Sequence, residues 1–168
     1  MSSGSESPGL TPAQRAGFDT RHADQDRTLD AIHRLEGALG AAAPGRESPW
    51  LRDVLSALET LKEATSEEQR NADRADSLLS DIARTQPRLR NRVRGLRTQY
   101  RQLRDAIESL RRELAAAPRE ALPDFADIRQ RISWLLTALR HQRSRESDLI
   151  YEAYYDAFNA DIAADTAG

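Results

Sequence analysis

Histidine and glutamate are the side chains whose type and spacing could bind a metal ion in this chain. There are three histidines, His22, His33 and His141, and Glu146 follows His141 by five residues. Imidazole nitrogens suit iron, carboxylate oxygens bind iron or manganese, and facing helices can hold such donors rigidly. Because no histidine lies between His33 and His141, imidazole ligands can come only from the first and last parts of the chain.

Composition and motifs exclude several other kinds of site. The chain has no cysteine, which excludes disulfides, thiolate metal sites and cysteine nucleophiles. It has no glycine-rich phosphate loop, no G-x-S-x-G turn and no His-Glu-x-x-His motif, so the sequence favours a protein that is not an enzyme. A formal net charge of −2 with 31% charged residues indicates neither a nucleic-acid nor a membrane partner.

The sequence also lacks targeting signals. No apolar run approaches the roughly 20 residues of a membrane span, and the first residues have neither the basic start nor the apolar centre of a secretory signal. We therefore expect a cytoplasmic protein.

Apolar residues spaced by three and four predict four long amphipathic helices. Thr11-Pro12 and Ser48-Pro49 are each typical of an N-cap followed by proline at the first helical position. Pro44-Gly45 predicts the end of the first helix near Ala43. The predicted inner residues are Phe18, His22, Gln25, Leu29, Ile32, Glu36 and Leu39 in the first helix, Leu51, Val54, Leu55, Leu58 and Leu61 in the second, Leu89, Val93, Leu96, Tyr100, Leu103, Ile107, Leu110 and Leu114 in the third, and Phe125, Ile128, Ile132, Leu135, Leu136, Leu139, Glu146, Leu149 and Ile150 in the fourth.

These helices predict an all-α protein with an antiparallel, up-and-down four-helix bundle. Residues 77–82 indicate a short helical connector before Pro87, and Pro118 and Pro123 bound a loop. Residues 1–10 are rich in serine, glycine and proline and are expected to be disordered. Residues 11–160 form the expected bundle, and residues 161–168 a flexible tail.

Several landmarks together resemble the hemerythrin-like family over about residues 15–156. They are His22 followed by residues 26–32, Trp50 at the start of the second helix with residues 77–82 after it, Pro87-Arg88-Leu89 leading into residues 93–103, and His141 with Glu146 before residues 149–154. Members of that family with an active site are known for a non-haem di-iron centre that binds dioxygen or related small molecules. Its histidine and carboxylate ligands come from all four helices.

The resemblance assigns ligand positions to only part of this chain. His22 and His141 match the histidines of the first and fourth helices, and Glu146 matches a carboxylate of the fourth. The histidine of the second helix falls near Glu68 or the neighbouring glutamine, and that of the third helix falls on Tyr100. The second and third helices therefore supply no imidazole.

Asp73 or a neighbour could stand for the carboxylate of the second helix. The count of histidines argues against a standard di-iron site.

Two hypotheses follow from this incomplete ligand set. The first is a bundle that has lost most di-iron ligands, binds no cofactor and serves as a non-enzymatic structural, interaction or regulatory module. In it, the old ligand positions form a buried polar network with Tyr100 at its centre. The alternative is an iron sensor or oxygen-binding protein with a mononuclear or partial site made from His22, Glu68, His141 and Glu146.

A row of arginines, which we call the arginine stripe, lies one residue after successive inner positions of the third helix. Its members are Arg90, Arg94, Arg97, Arg101 and Arg104. One interpretation is a row of ion pairs to acidic residues of a neighbouring helix. These residues are Glu59, Glu63 and Glu67 on the second helix and Asp24, Asp26 and Asp30 on the first. The other interpretation is a surface that binds anions or nucleic acid, although no recognised DNA-binding motif is present.

The end of the fourth helix is rich in aromatic residues. Tyr151, Tyr154, Tyr155 and Phe158 have the spacing of one helical face. They could cap the end of the bundle or form an exposed patch for a protein partner or a second copy. His33, on the flank of the first helix, is expected to be an ordinary half-exposed residue.

Overall fold

The computed structural model describes residues 9–41, 45–116 and 124–168. Within these ranges the chain is helical and has no strand, which confirms the predicted all-α class. The α-helices are α1 (Pro12–Gly40), α2 (Glu47–Ala72), α3 (Leu78–Thr85), α4 (Arg90–Ala115) and α5 (Phe125–Ala167), and a short 3-10 turn (Pro87–Leu89) precedes α4. No helix in the described ranges is both long enough and apolar enough to cross a membrane.

Helix starts follow the sequence signals in part. Thr11 caps α1: its side chain accepts a hydrogen bond from the backbone of Gln14, whose side chain in turn accepts one from the backbone of Thr11. Ser77 likewise caps α3. The prediction that Ser48 caps the second helix is wrong, because α2 already begins at Glu47 and its N-cap residue, Arg46, makes no capping side-chain bond.

The end of the chain, predicted as a flexible tail over residues 161–168, is helical in the structure. Helix α5 continues without a break to Ala167. Residues 161–168 contain three alanines, the residue with the highest helix propensity, and Asp161 pairs with Arg15 of α1 at 3.5 Å. The expectations for residues 1–8, for the end of the first helix near Ala43 and for the loop between Pro118 and Pro123 lie outside the described residues.

The long helices lie antiparallel to their neighbours. Between α1 and α2, Arg34 donates to Ser56, whereas Asn71 donates to Asp24, so residue numbers rise along one helix as they fall along the other. Contacts between α2 and α4, α4 and α5, and α5 and α1 follow the same rule. The pairs are Lys62–Glu108 and Arg97–Asp73, Arg131–Glu113 and Arg88–Glu152, and Arg140–Glu36 and Arg15–Asp161.

Two apolar clusters fill the interior at opposite ends of the helices. The larger, which we call the large core, is formed by residues 31–35 of α1, 50–64 of α2, 103–114 of α4 and 128–139 of α5. The smaller, the small core, is formed by residues 78–82 of α3, Leu89, residues 93–100 of α4 and 149–154 of α5. All inner positions predicted for α4 are buried, because its pattern is uninterrupted over seven turns.

Between the two cores lies a layer of buried polar side chains, which we call the polar layer. Its members are Asp24, Thr28, Thr65, Glu68, Gln69, Gln142 and Glu146, together with the hydroxyl of Tyr100. Buried polar groups persist only where they find hydrogen-bond partners. The polar layer is therefore the part of the interior whose composition needs a chemical explanation.

Candidate functional site

The structure brings three of the candidate site residues together and leaves two outside. Glu68, Tyr100 and Glu146 are buried and in contact. His22 and His141 are exposed, so the prediction that His22 faces the interior is wrong, and His141 does not lie where a ligand shared with Glu146 would have to lie. The four residues proposed as a reduced metal site, His22, Glu68, His141 and Glu146, thus do not meet at one point.

Helix rotation explains the error at both histidines. On α1 the inner residues are Leu35, Ala31, Thr28 and Asp24, and His22 is displaced from Asp24 by about 200° of rotation. The polar residues Asp24 and Thr28 face inward because each finds a partner on α2. On α5 the inner residues step from Leu139 to Gln142 and Glu146, which turns His141 outward by about 100°.

Tyr100 is the centre of a hydrogen-bonded cluster. Its hydroxyl lies 3.0 Å from Oε1 of Glu68 and in close contact with Oε2 of Glu146. On the far side of each carboxyl, the Thr28 hydroxyl donates to Oε2 of Glu68 at 2.7 Å, and Nε of Arg21 donates to Oε1 of Glu146 at 3.0 Å. These five side chains, from all four long helices, form what we call the carboxyl–tyrosine cluster.

Two hydrogen bonds link Tyr100 to the two carboxyl groups, but two ionised carboxylates and a phenol have only one hydrogen between them. The phenol has a single hydrogen and contacts two carboxyl groups, so one carboxyl must be protonated and donate to the phenol oxygen. Arg21 compensates the charge of Glu146, whereas no cation within the described ranges pairs with Glu68. Burial, and then the negative charge of Glu146, raise the pKa of Glu68. Glu68 is therefore the carboxyl of the pair that is more readily protonated.

The protonation states determine the direction of hydrogen-bond donation in the cluster. Burial, followed by the charges of Glu146 and Glu68, raises the pKa of Tyr100 well above that of a free phenol. Tyr100 thus remains protonated and donates to Glu146; when Glu68 is protonated, its carboxyl donates to the Tyr100 oxygen, 3.0 Å away. Each donor in the chain from Glu68 to Glu146 has an acceptor, so the cluster is stable in a low-dielectric interior without further ions.

Asp24 continues the polar layer toward the small core. One of its carboxylate oxygens accepts from Arg27 at 3.0 Å, and both accept from the side-chain amide of Asn71 at 3.0 Å. Arg27 is 43% exposed, so Asp24 is buried with its counter-charge at the protein surface.

An open cavity leads from the surface to the carboxyl–tyrosine cluster. Its volume is about 340 Å³, within the range of small-molecule sites. Its floor is polar and includes Arg21, Asp24, Glu68, Asn71, Tyr100 and Glu146. Its walls are mostly apolar, formed by the first turns of α1, by the start of α3 and by one residue of α5: Ala13, Ala16, Gly17, Leu78, Leu79 and Ile150.

A second, much smaller cavity lies against the other side of Glu68 and Tyr100. Its volume is about 10 Å³, close to the least that can hold one water molecule. Gln142 and Arg143 line it, and each has a buried side-chain nitrogen without a hydrogen-bond partner in the part of the chain that the structure describes. The polar layer is thus not fully satisfied by protein groups alone.

The donors present do not fit a di-iron centre. Across residues 9–41, 45–116 and 124–168, no group of three or more histidine, aspartate or glutamate side chains is arranged to hold a metal ion. The hydroxyl of Tyr100 lies between Glu68 and Glu146. His22 and His141, the two expected histidine ligands, are exposed to solvent.

The arginine stripe does not form the expected row of ion pairs with α1 or α2. Arg97 is the exception: it lies 3.5 Å from Asp73 at the end of α2 and donates to Ser80 of α3 at 2.7 Å. Glu59 and Glu67 instead pair with Arg111 and Arg27. The other members of the stripe are exposed or half-exposed: Arg90, Arg94, Arg101 and Arg104. Each follows an inner residue by one position, a rotation of about 100° that turns its side chain largely to solvent.

The aromatic residues at the end of α5 divide into two pairs. Tyr154 and Phe158 pack edge-to-face on Phe18 of α1, with ring centroids 5.4 and 5.2 Å away. Tyr151 and Tyr155 are 58% and 48% exposed. The expected end cap is thus made by Tyr154 and Phe158, while Tyr151 and Tyr155 lie on the surface. His33 is fully on the exposed side of α1.

Sequence reasoning missed the partners of the cluster. Arg21, Asp24 and Thr28 bind the polar residues of α2 and α5, yet none of them belonged to the predicted site. A signal was present: stepping back by threes and fours from Leu35 reaches Thr28 and Asp24. No known family, curated protein or solved structure matches this chain.

Proposed function

We propose that this protein is a hemerythrin-like four-helix bundle that has lost most di-iron ligands and acts as a non-enzymatic interaction or regulatory module. In this proposal the polar layer keeps its place between the helices and is held together by a shared proton instead of a metal ion. The all-helical fold and the antiparallel neighbours of α1, α2, α4 and α5 are compatible with such a bundle.

The observation that carries the proposal is the internal balance of the carboxyl–tyrosine cluster. Glu146 has a cation in Arg21, Tyr100 occupies the space between two carboxyl groups, and burial raises the pKa of Glu68, which favours its neutral form. A metal ion binds carboxylates in their charged form and would have to displace both the proton and the Tyr100 contacts. The cluster therefore supports a metal-free role.

The cavity supports a binding or regulatory role over a purely structural one. A scaffold gains stability by filling space, since each void forgoes packing contacts. This protein instead keeps about 340 Å³ open above a polar floor. An open site with a few buried polar groups is the usual arrangement for recognition of a small molecule.

Metal analysis of protein produced with added iron tests the proposal. We expect no bound iron, no visible absorption bands, and a melting temperature that is unchanged by a chelator. About two irons per chain, with absorption bands that respond to oxygen or azide, would contradict it.

A reduced iron site is the second candidate. The contact of Glu68, Tyr100 and Glu146 favours it, since three oxygen-bearing side chains meet at one point. Iron that is lost in Glu68→Ala but retained in His22→Ala and His141→Ala would support this candidate and exclude the four-residue site expected from the sequence.

A further inference from the structure

Three buried carboxyl groups lie on the floor of the large cavity, and they differ in their counter-charges. Asp24 has Arg27 at 3.0 Å and Glu146 has Arg21 at 3.0 Å. Glu68 is hydrogen-bonded only to the hydroxyls of Thr28 and Tyr100, and no cation in the described part of the chain pairs with it. Glu68 is therefore the carboxyl that can accept a positive charge from outside.

The two arginines near the cavity are already engaged. Nε of Arg21 is bound to Glu146 and its Nη2 donates to Ser147 at 2.9 Å. Arg74, at the rim, is bound by Asp76 through two hydrogen bonds of 3.0 and 3.2 Å. Both guanidinium groups are thus already paired with a carboxylate, whereas Glu68 has no counter-charge in the described part of the chain, so the cavity favours a cation over an anion.

One buried donor of the polar layer beneath the cavity also lacks a hydrogen-bond partner within the described residues. Gln142 is 2% exposed, lines the small cavity behind Glu68, and leaves its Nε2 without a partner among the residues described. A fully self-contained polar core would satisfy such a donor. Both sides of Glu68 thus have room for a group that the chain does not supply.

The walls of the cavity indicate the chemistry of the uncharged part of a ligand that would fit it. Ala13, Ala16 and Gly17 on α1 and Leu78 and Leu79 on α3 line the cavity, and the two helices pack closely where Gly17 meets Leu78. Small and apolar residues at this spacing fit a narrow hydrocarbon or aromatic body, not a hydrated metal ion or a polyvalent cation. Since only Glu68 lacks a cation among the described residues, a ligand with one positive charge can take the place of its proton.

We propose that this cavity binds a small organic monocation, a primary amine carried on an apolar body, with the ammonium group paired to Glu68 and the body against Ala13, Ala16 and Leu78. Ammonium donors can reach Glu68 directly, and the displaced proton leaves to solvent. This inference rests on the proposed metal-free state of the carboxyl–tyrosine cluster.

Calorimetric titration of the full-length, metal-free protein with three probes of matched size tests the inference. The probes are phenethylamine, phenethyl alcohol and phenylacetate, which share a body and differ in charge. We expect phenethylamine to bind about tenfold or more tightly than the alcohol and phenylacetate not to bind. Equal affinity for the amine and the alcohol, or tighter binding of phenylacetate, would overturn the inference.

Two variants and one control locate the site. Glu68→Gln keeps the shape of the side chain and is expected to remove the preference for the amine while leaving the affinity for the alcohol unchanged. Ala16→Phe, at an exposed position of α1 that lines the cavity, is expected to abolish binding of both. Asp105→Asn removes an exposed charge on α4, outside the cavity, and should change neither.

The outcomes separate this inference from the proposed function. Bound iron in the starting protein refutes the proposed function, whereas a metal-free, folded protein that does not distinguish the amine refutes only the amine site. If Glu68→Gln does not fold, Ala16→Phe decides, because it leaves the carboxyl–tyrosine cluster intact. Amine binding that persists in Ala16→Phe would contradict the assignment.

Discussion

The large core and the polar layer occupy neighbouring levels of the same helices but are built on different principles. In the large core, Val54, Leu58, Leu61, Ile107 and Ile132 are fully buried, and packing alone decides which residues fit. In the polar layer, Glu68, Tyr100 and Glu146 depend on hydrogen bonds to particular partners. A change in side-chain size should destabilise the large core most, whereas loss of a hydrogen-bond partner should destabilise the polar layer most.

The two apolar cores also differ in their access to solvent. The large core is continuous across all four long helices, whereas the small core is reached past an open cavity bounded by the short helix α3. Regions with fewer apolar contacts open at lower free energy and commonly carry the binding function. We therefore expect substitutions at the two ends to have unequal consequences.

The largest expected effect comes from a void in the large core. Ile107→Ala should lower the free energy of unfolding by about 4 kcal/mol, because a fully enclosed site cannot relax around the void. Ile82→Ala, also fully buried but on the short helix beside the cavity, should cost about 2 kcal/mol. Urea denaturation measures both, and equal costs would remove the distinction between the two ends.

Next in size is the loss of the cation that balances Glu146. Arg21→Ala should lower the free energy of unfolding by about 3 kcal/mol, since it leaves a buried carboxylate without a counter-charge. Adding Glu146→Gln to Arg21→Ala should recover part of this loss, because the uncompensated charge is then removed. A double variant as unstable as the sum of the single variants would show that the two residues act independently.

Removal of the Tyr100 hydroxyl should have a smaller effect. Tyr100→Phe preserves the ring but takes the shared partner from Glu68 and Glu146, at a cost of about 2 kcal/mol. Tyr155→Phe removes a hydroxyl from a half-exposed ring and serves as the matched control, with no expected change in melting temperature. Equal melting temperatures for the two variants would contradict the central position of Tyr100.

The pH dependence of stability should reveal the proton on Glu68. Because the pKa of Glu68 is higher in the folded than in the unfolded protein, the folded state holds the extra proton and stability falls as pH rises above the unfolded pKa of 4.5. Glu68→Gln has no such proton, so its stability relative to the wild type should increase with pH over that window.

Glu108→Gln provides a control of opposite sign. Hydrogen bonding to Arg111 lowers the pKa of Glu108 to about 2, so its contribution is present above the ordinary pKa of 4.5 and is lost as pH falls through the folded value. Its removal should therefore matter at neutral pH and not in acid. Parallel pH profiles for the two variants would contradict the assigned protonation states.

The smallest effect is expected at an exposed ion pair. Glu113→Gln removes the partner of Arg131, which lies 2.6 Å away with both side chains substantially exposed. Exposed pairs are screened by water and contribute little, so urea denaturation should detect a smaller change than for any destabilising variant above. A loss as large as that of Tyr100→Phe would show that the surface, and not the polar layer, supplies the specific polar stabilisation.

The helical architecture was predictable because apolar periodicity is a dense signal. On α4, seven inner positions define one face, and all are buried. On α1, polar residues occupy inner positions, so a pattern based on hydrophobicity placed His22 inside and Asp24 outside. The structure reverses the two because Asp24 meets Asn71, and a partner 47 positions away cannot be read from local spacing.

The candidate site was predictable only in part for the same reason. Glu68, Tyr100 and Glu146 interrupt apolar stripes, and such interruptions mark a buried polar group. Arg21 lies on the shoulder of α1, where a cation is ordinary, and only the structure brings its side chain to Glu146. The cavity depends on the spacing of α1, α3 and α5, which no single helix specifies.

Infrared difference spectroscopy between the wild type and Glu68→Gln tests the central claim most directly. At neutral pH we expect the carbonyl stretch of a protonated carboxylic acid in the metal-free wild type, its loss in Glu68→Gln and its retention in Asp105→Asn. Absence of that band from the wild type, or its persistence in Glu68→Gln, would contradict a polar layer held together by a proton on Glu68.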